Sequence, residues 1–237
     1  MNKYIHDPQH RARMRELIQG FIEHCEVSPS LIGRIGRVIE CNGRKYGVPV
    51  FTIHGPAHDS LNSQFVGLAG VNAGRDARAA ETLLQLIERL AIQPRIAAGH
   101  VLEILPVTDP VGLELGAAPE TAPAQSPQFR GESVDGLIEL EVTDTDSFVV
   151  TAEGDFPFRQ AVASAEEGFR RLASEEPGDR LRIRSSRVAH EGAWKLRLQL
   201  PATWSPSVTV HWGSQFLVLF FRAHVTFRAL APIRLAK

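Results

Sequence analysis

The sequence predicts an α/β fold with three layers, α/β/α, around a mixed and mainly parallel central sheet. The main observation is the order of patterns between residues 65 and 107: an apolar run, a glycine-bearing loop, an amphipathic helix and a second apolar run. This order indicates a βαβ unit, whose two strands are parallel neighbours. Near-continuous apolar strands are typical of a sheet that is covered on both faces. A chain of 237 residues can bury one sizeable core, so we expect a single domain over residues 1–237.

Residues 1–44 are expected to form an N-terminal helix and the first part of a hairpin. Asp7-Pro8 is a helix start, with Asp as the N-cap and Pro at the first helical position. Apolar residues then recur at helical spacing and predict a helix over residues 8–25. Asn42-Gly43 predicts a tight turn, because both residues tolerate positive φ. The strands that this turn joins are predicted over residues 36–40 and 45–53.

A long surface loop separates the βαβ unit from the rest of the chain. Residues 116–131 are rich in Pro, Ala and Ser, which is typical of an exposed loop. Before this loop the sequence predicts strands over residues 65–71 and 100–107, with a helix over 76–90 between them. After it the sequence predicts strands over 137–142, 148–151, 181–188 and 194–200, and helices over 157–172 and 214–230.

Composition and charge argue against several classes of partner. The net charge of −1 and the isoelectric point near 6.8 indicate neither a nucleic-acid nor an anionic-membrane partner. The longest apolar run, residues 216–221, is too short to span a bilayer. Cys25 and Cys41 are too few for a disulfide framework, so we expect two thiols in a reducing compartment rather than one bridge. The polar N-terminus lacks the apolar core of a signal peptide, and we therefore expect a cytoplasmic location.

Generic catalytic and metal-binding motifs give no positive indication. His54 and His58 are four residues apart with Asp59 beside them, a spacing that suits a metal only on a helix. Gly55-Pro56 lies between them and indicates a loop, so we expect surface histidines there. The chain contains no His-Glu-x-x-His, Cys-x-x-Cys, Walker or Gly-x-Ser-x-Gly motif.

Two segments of the βαβ unit carry a resemblance to the zinc carboxypeptidases. In that family the first parallel strand ends in a Gly-x-His-Gly-x-Glu type of segment that supplies two zinc ligands. Residues 65–79, FVGLAGVNAGRDARA, resemble it, with Asn72 at the His position and Arg75 at the Glu position. The next strand of the family ends in Pro-x-x-Asn-Pro-x-Gly. Residues 106–112, PVTDPVG, match this pattern with Asp109 in place of Asn.

Three later segments extend the resemblance, which includes the small bacterial branch and the related deacylases of the succinylglutamate desuccinylase and aspartoacylase type. Residues 124–129, AQSPQF, match a substrate-binding segment but have Ser126 and Pro127 where the family has Asn and Arg. Residues 137–141, LIELE, match the strand of the third zinc ligand, with Glu141 for His. Residues 197–201, RLQLP, match the strand of the general base, with Gln199 for Glu. The resemblance implies a zinc-carboxypeptidase, phosphorylase/hydrolase-like fold.

The residues at these positions do not suit the family's zinc chemistry. Hydrolytic zinc sites use about three imidazole or carboxylate ligands and an open position for water. Asn72 is a poor ligand, and the permanent cation of Arg75 would repel a metal. Glu141 is the one position of the three that could still coordinate, and Gln199 cannot take a proton from a bound water. We therefore expect that the zinc of the family is lost, that no cofactor replaces it, and that Arg75 pairs with Glu141 where the ion would stand.

Three hypotheses about function follow. The first is a catalytically inactive protein that holds a peptide or a small amide in a remnant cleft formed by Asn72, Arg75, Asp109, Ser126, Glu141 and Gln199. The alternative is an active zinc metallocarboxypeptidase or N-acyl amino acid deacylase whose ligands lie elsewhere, for instance at Asp76, His54 or His58. The third is a homo-oligomeric scaffold whose ligand is a partner chain.

Overall fold

One eight-stranded sheet organises the part of the chain that the structure describes. The structure is a computed structural model, and it describes residues 8–41, 43–56, 63–72, 76–115, 129, 134–175 and 182–235. The strands are β1 (Leu31–Cys41), β2 (Arg44–His54), β3 (Gln64–Val71), β4 (His100–Leu105), β5 (Gly136–Thr143), β6 (Phe148–Gly154), β7 (Ile183–Ala189) and β8 (Trp194–Pro201).

Five α-helices and one 3₁₀ turn accompany the sheet within these described ranges. The helices are α1 (Pro8–Val27), α2 (Arg78–Ile92), α3 (Pro110–Leu115), α4 (Phe156–Glu175) and α5 (Pro206–Leu235), and the 3₁₀ turn is Pro94–Ala97. In the described part of the chain, none of these helices combines the length and the apolar character needed to cross a membrane.

The strand order β1-β2-β4-β3-β5-β8-β6-β7 confirms an α/β fold with a mixed and mainly parallel sheet. The pairs β3·β4, β3·β5, β5·β8 and β6·β7 are parallel, and the other three pairs are antiparallel. Helix α2 connects β3 to its parallel neighbour β4, which confirms the predicted βαβ unit. The predicted hairpin is also confirmed, since β1 and β2 are antiparallel and Gly43 has a φ of 72°.

The described helices pack against one face of the sheet. The ring of Phe21 on α1 stacks on Phe51 of β2 at 4.7 Å, and α2, α4 and α5 contribute to the same buried cluster. On the opposite face a small cluster of Val48, Val50 and Leu105 is accompanied by Phe129. Of the three predicted layers, the described residues show the sheet and one layer of helices. The rest of the predicted loop 116–131 lies outside the described residues.

Two helix starts differ from the sequence prediction, and both follow from capping side chains. Helix α5 begins at Pro206 and not near residue 214, because Ser205 Oγ accepts a hydrogen bond from the Val208 backbone N–H at 3.4 Å. Helix α3 lies in a stretch for which the sequence predicts no helix, and Asp109 caps it in the same way. In both cases a short polar residue precedes a proline at the first helical position.

Two buried histidines connect α5 to the first residue of β4. His100 Nδ1 lies 2.9 Å from the carbonyl oxygen of Ala98, and His100 Nε2 lies 3.1 Å from His224 Nδ1. A carbonyl oxygen only accepts, so the proton of His100 is on Nδ1 and its Nε2 accepts from His224 Nδ1–H. Both imidazoles are therefore neutral in the folded chain, inside a box of aromatic rings that includes Phe220 and Phe221.

We expect the free energy of unfolding to fall as the pH drops below about 6.5, the ordinary histidine pKa. Desolvation, together with the cation of Arg228, lowers the pKa of His100 to about 4 and that of His224 to about 3. The unfolded chain therefore binds more protons than the folded chain in this range. Acid should favour unfolding by up to about 1.4 kcal/mol per pH unit for each histidine. Urea unfolding at a series of pH values measures the slope.

The matched variants for this prediction are His224→Gln and His190→Gln. His224→Gln should flatten the pH dependence, because the amide can donate to His100 Nε2 but does not titrate. His190 is exposed, so its replacement should leave the slope unchanged. Equal slopes in the two variants would contradict this account of the buried pair.

Candidate functional site

Three of the predicted site positions meet at the carboxyl edge of the parallel strands. Strands β3, β5 and β8 are consecutive neighbours in the sheet. In their register Val71 lies opposite Glu141, and Glu141 lies opposite Gln199. Asn72 directly follows Val71. The carboxyl ends of parallel strands are where ligands bind in open α/β sheets, so this edge is the candidate site.

Asn72 is held by two hydrogen bonds to the backbone of Asp109. Its Nδ2 donates to the Asp109 carbonyl oxygen at 2.8 Å, and its Oδ1 accepts from the Asp109 N–H at 3.0 Å. Thr108 adds to the connection, since its backbone N–H and its hydroxyl both donate to the carbonyl oxygen of Gly70 at 3.2 Å. The amide of Asn72 therefore binds the end of β3 to the segment that follows β4.

In the Pro-x-x-Asp-Pro-x-Gly segment, residues 106–112, the Asp and the final Gly both have a structural role. Asp109 Oδ1 accepts a hydrogen bond from the Gly112 N–H at 2.9 Å and so caps α3. A Cβ at Gly112 would collide with the Asp109 carboxylate, and a Cβ at Gly70 would collide with the carbonyl oxygen of Pro106. A side chain is excluded at Gly70 by the close approach of the ends of β3 and β4, and at Gly112 by the carboxylate that caps α3.

Glu141 and Gln199 lie side by side on the sheet face opposite the helices. Paired residues of neighbouring strands project to the same side, and both of these side chains are half-buried. Two residues earlier on the same strands, Glu139 binds Lys195 at 2.9 Å and Arg197 at 3.2 Å. Sequence analysis missed this ion cluster, although the alternation of charged and apolar residues in β5 and β8 could have indicated it. Both cations are paired with Glu139.

Asp76, an alternative zinc ligand from the sequence, is bound to a cation. Its carboxylate accepts hydrogen bonds from Arg78 Nη2 at 2.5 Å and Arg78 Nε at 3.0 Å, and it also accepts from the Arg78 backbone N–H at 3.0 Å. The hydrogen bond with Asp76 raises the pKa of Arg78. Arg78 Nη1 donates in turn to the carbonyl oxygen of Ala202 at 3.1 Å. The Asp76–Arg78 pair thus connects the start of α2 to the turn after β8.

His54, a second alternative ligand, lies at the opposite edge of the sheet. It pairs with Val101 near the start of β4, and the following Gly55 N–H donates to the His100 carbonyl oxygen at 3.0 Å. Because β4 runs parallel to β3, the start of β4 is at the amino edge. His54 therefore cannot join Asn72, Glu141 and Gln199 around one ion. His58, Arg75 and Ser126 lie outside the described residues.

The described residues at the carboxyl edge do not fit a catalytic zinc ion. Among them, Glu141 is the one carboxylate at the three strand-end positions, while Asn72 and Gln199 carry neutral amides. The amide of Asn72 is already bonded to Asp109. Over the described ranges as a whole, no group of three or more His, Cys, Asp or Glu side chains is arranged to hold a metal.

Comparison with known proteins gives a result for the fold and none for the sequence. No family model and no curated protein matches the chain. A metallo-carboxypeptidase from Burkholderia cenocepacia gives a TM-score of 0.64 at 12% identity, over 91% of this chain and 69% of that chain. Bovine thrombin-activatable fibrinolysis inhibitor, solved with tick carboxypeptidase inhibitor, gives 0.56 at 10% identity, over 91% of this chain and 97% of that chain. The resemblance predicted from the ordered motifs is thus confirmed at the level of the fold, and the chain has the metallocarboxypeptidase fold.

Proposed function

We propose that this chain is a catalytically inactive protein with a metallocarboxypeptidase fold, which binds a peptide or a small amide at the carboxyl edge of its sheet. The hydrogen bonding of Asn72 is the observation that carries the proposal. A zinc ligand must direct a free electron pair at the ion. Here the side chain at the first ligand position is directed at the peptide of Asp109 through both its donor and its acceptor.

The general-base position supports the same conclusion. Gln199 lies opposite Glu141 in the register, in line with the predicted positions of the base and the third ligand. A carboxamide has no basic group at neutral pH and cannot take a proton from water. A hydrolase that used Gln199 as its general base would lack the proton acceptor even if a metal were supplied.

The same residues suit amide recognition. Glu141 offers carboxylate acceptors, and Gln199 offers one acceptor and two donors, on neighbouring strands and in half-buried positions. Peptide groups present one N–H donor and one C=O acceptor, which this pair can match. The predicted pairing of Arg75 with Glu141 stays a prediction, as does a contribution from Ser126.

An active hydrolase with ligands elsewhere is less well supported. Asp76 is bonded to Arg78, and His54 lies at the other edge of the sheet.

We expect Asn72→Ala to lower the free energy of unfolding by about 1–3 kcal/mol, because the Asp109 N–H loses its bond to Asn72 and the Asp109 carbonyl oxygen keeps only the bond from the Leu113 N–H at 3.1 Å. Gln199→Ala removes the same functional group from a neighbouring strand end and should cost less than about 1 kcal/mol. Urea unfolding of both variants gives the comparison. Equal losses would mean that Asn72 has no special structural role.

Protein purified without chelators should contain far less than one zinc ion per chain by elemental analysis. It should not hydrolyse peptides with free or amidated carboxyl termini, because Gln199 cannot act as a base. Stoichiometric zinc together with hydrolysis would overturn the proposal.

Binding is tested with the same preparation and a series of N-acetyl dipeptide amides, followed by NMR chemical shifts. Shifts should concentrate at the ends of β5 and β8 and should be lost in the Glu141→Ala/Gln199→Ala variant. Shifts that persist in that variant would place the ligand elsewhere and contradict the binding part of the proposal.

A further inference from the structure

The edge strand β1 carries an unusual concentration of exposed apolar side chains. Ile32, Ile35 and Val38 are 55%, 70% and 56% exposed. With Ile22 and Val27 of α1 they account for five of the eight large apolar side chains that are exposed in the described part of the chain. Single exposed apolar residues are ordinary, but neighbours on one face form a contact surface; Ile35 and Val38 are such a pair, whereas Ile32, opposite Thr52, projects to the other face.

β1 lies at an edge of the sheet, and no strand of the described ranges pairs with its outer side. β1 is the terminal strand of the sheet order, and nine of its eleven residues have a partner on β2. Natural edge strands of this kind are commonly protected by charged side chains that discourage pairing. At the other edge, β7 carries the exposed Arg184 and Arg187.

The two arginines of β1 do not protect its edge in this way, because both side chains bind groups within the same chain. Arg34 Nη2 donates to the buried carboxylate of Glu103 at 3.0 Å, and Arg37 Nη2 donates to the carbonyl oxygen of Thr108 at 3.3 Å. Each guanidinium is thus bound to a strand or loop further inside the same chain. The β1 edge keeps its apolar side chains exposed while its cations are directed inward.

A bulge in β1 places Ile35 and Val38 on the same face of the sheet. Their partners on β2 are Pro49 and Gly47, and the register shifts between Ile35 and Val38. Since Pro49 and Gly47 are two residues apart, they project to one face, and so do Ile35 and Val38. Without the bulge, residues three apart on a strand would point to opposite faces.

We infer that β1 pairs antiparallel with β1 of a second copy of this chain, about a two-fold axis between residues 36 and 37. Ile35 of each copy then lies opposite Val38 of the other, so this contact occurs twice by symmetry. The strand pairing joins the two sheets into one continuous sheet. Arg34 lies opposite Ile39, on the other face. Glu40 lies opposite Gly33, so the remaining exposed charge meets no side chain.

Other registers of the β1 pair, and an unrelated peptide in place of the second copy, agree less well with the pattern of side chains on β1. A shift by one residue would place Arg37 opposite Arg37 of the second copy and would mismatch the faces on either side of the bulge. The observed pattern is self-complementary, which is what an isologous contact requires and an unrelated peptide would not need. A net charge of −1 gives two copies little reason to repel each other.

The first test is the mass of the protein in solution by light scattering and sedimentation. Wild type should have twice the chain mass of 26.1 kDa. Ile35→Lys/Val38→Lys should halve that mass, because it places cations opposite cations in the pairing. The matched control is Val188→Lys on β7, a similarly exposed β-branched residue of the other edge strand, which should stay dimeric.

The second test reads the register and does not depend on the lysine variant folding. Ile35→Cys/Val38→Cys, in a Cys25→Ser/Cys41→Ser background, should form disulfides between chains upon mild oxidation. Bonding within one chain is disfavoured, because cysteines three residues apart on a strand are too far apart. Ile35→Cys alone should cross-link little, since Ile35 faces Val38 and not itself.

Several results would overturn the inference. Wild type that sediments as a monomer at the highest soluble concentration would remove the dimer. A dimer that survives Ile35→Lys/Val38→Lys, or dissociates in Val188→Lys, would move the contact away from β1. Efficient cross-linking of the single Ile35→Cys variant, with none in the double variant, would refute the register.

Discussion

The parallel pairing of β3, β5 and β8 decides where the candidate site lies. Register alone sets Glu141 beside Gln199 and brings the residue after Val71 to the same edge. Asn72 then fixes the geometry of that edge, because its amide binds both backbone groups of Asp109 and holds the turn after β4 against the end of β3. The capped helix α3 depends on the same turn. The position that the motif order matches to a zinc ligand is thus bonded within the chain's own structure.

Two further carboxylates near this edge are bound to cations. Asp76 is bonded to Arg78, and through Arg78 to the turn after β8. Glu139 takes up two cations on the open face of the sheet. Asp76 and Glu139 are therefore bound to neighbouring cations and Asp109 caps α3, and Glu141 is the carboxylate for which we propose a ligand. These pairings are the ground on which we propose an inactive binding protein and not a hydrolase with displaced ligands.

Local sequence patterns predicted the helices and strands, but they did not predict where α5 starts or what the Asn72 side chain binds. The βαβ unit and the Asn42-Gly43 turn followed from periodicity and turn chemistry. The order of motifs placed Glu141 and Gln199 on two strands, and the structure shows that these strands are neighbours. The start of α5 was missed because its apolar periodicity begins after the capping residue Ser205. The bonding of Asn72 to Asp109 joins residues 37 apart in sequence, and no local pattern reports such a contact.

Zinc affinity tests the central claim most directly, by comparing wild type with the Asn72→His/Arg75→Glu/Glu141→His variant in a competition titration against a fluorescent chelator. The variant restores the family's ligand types at the three aligned positions. The account predicts that it binds about one zinc ion per chain, as a three-ligand site should, while wild type does not compete with the chelator. Wild type that binds zinc as tightly as the variant would contradict the account.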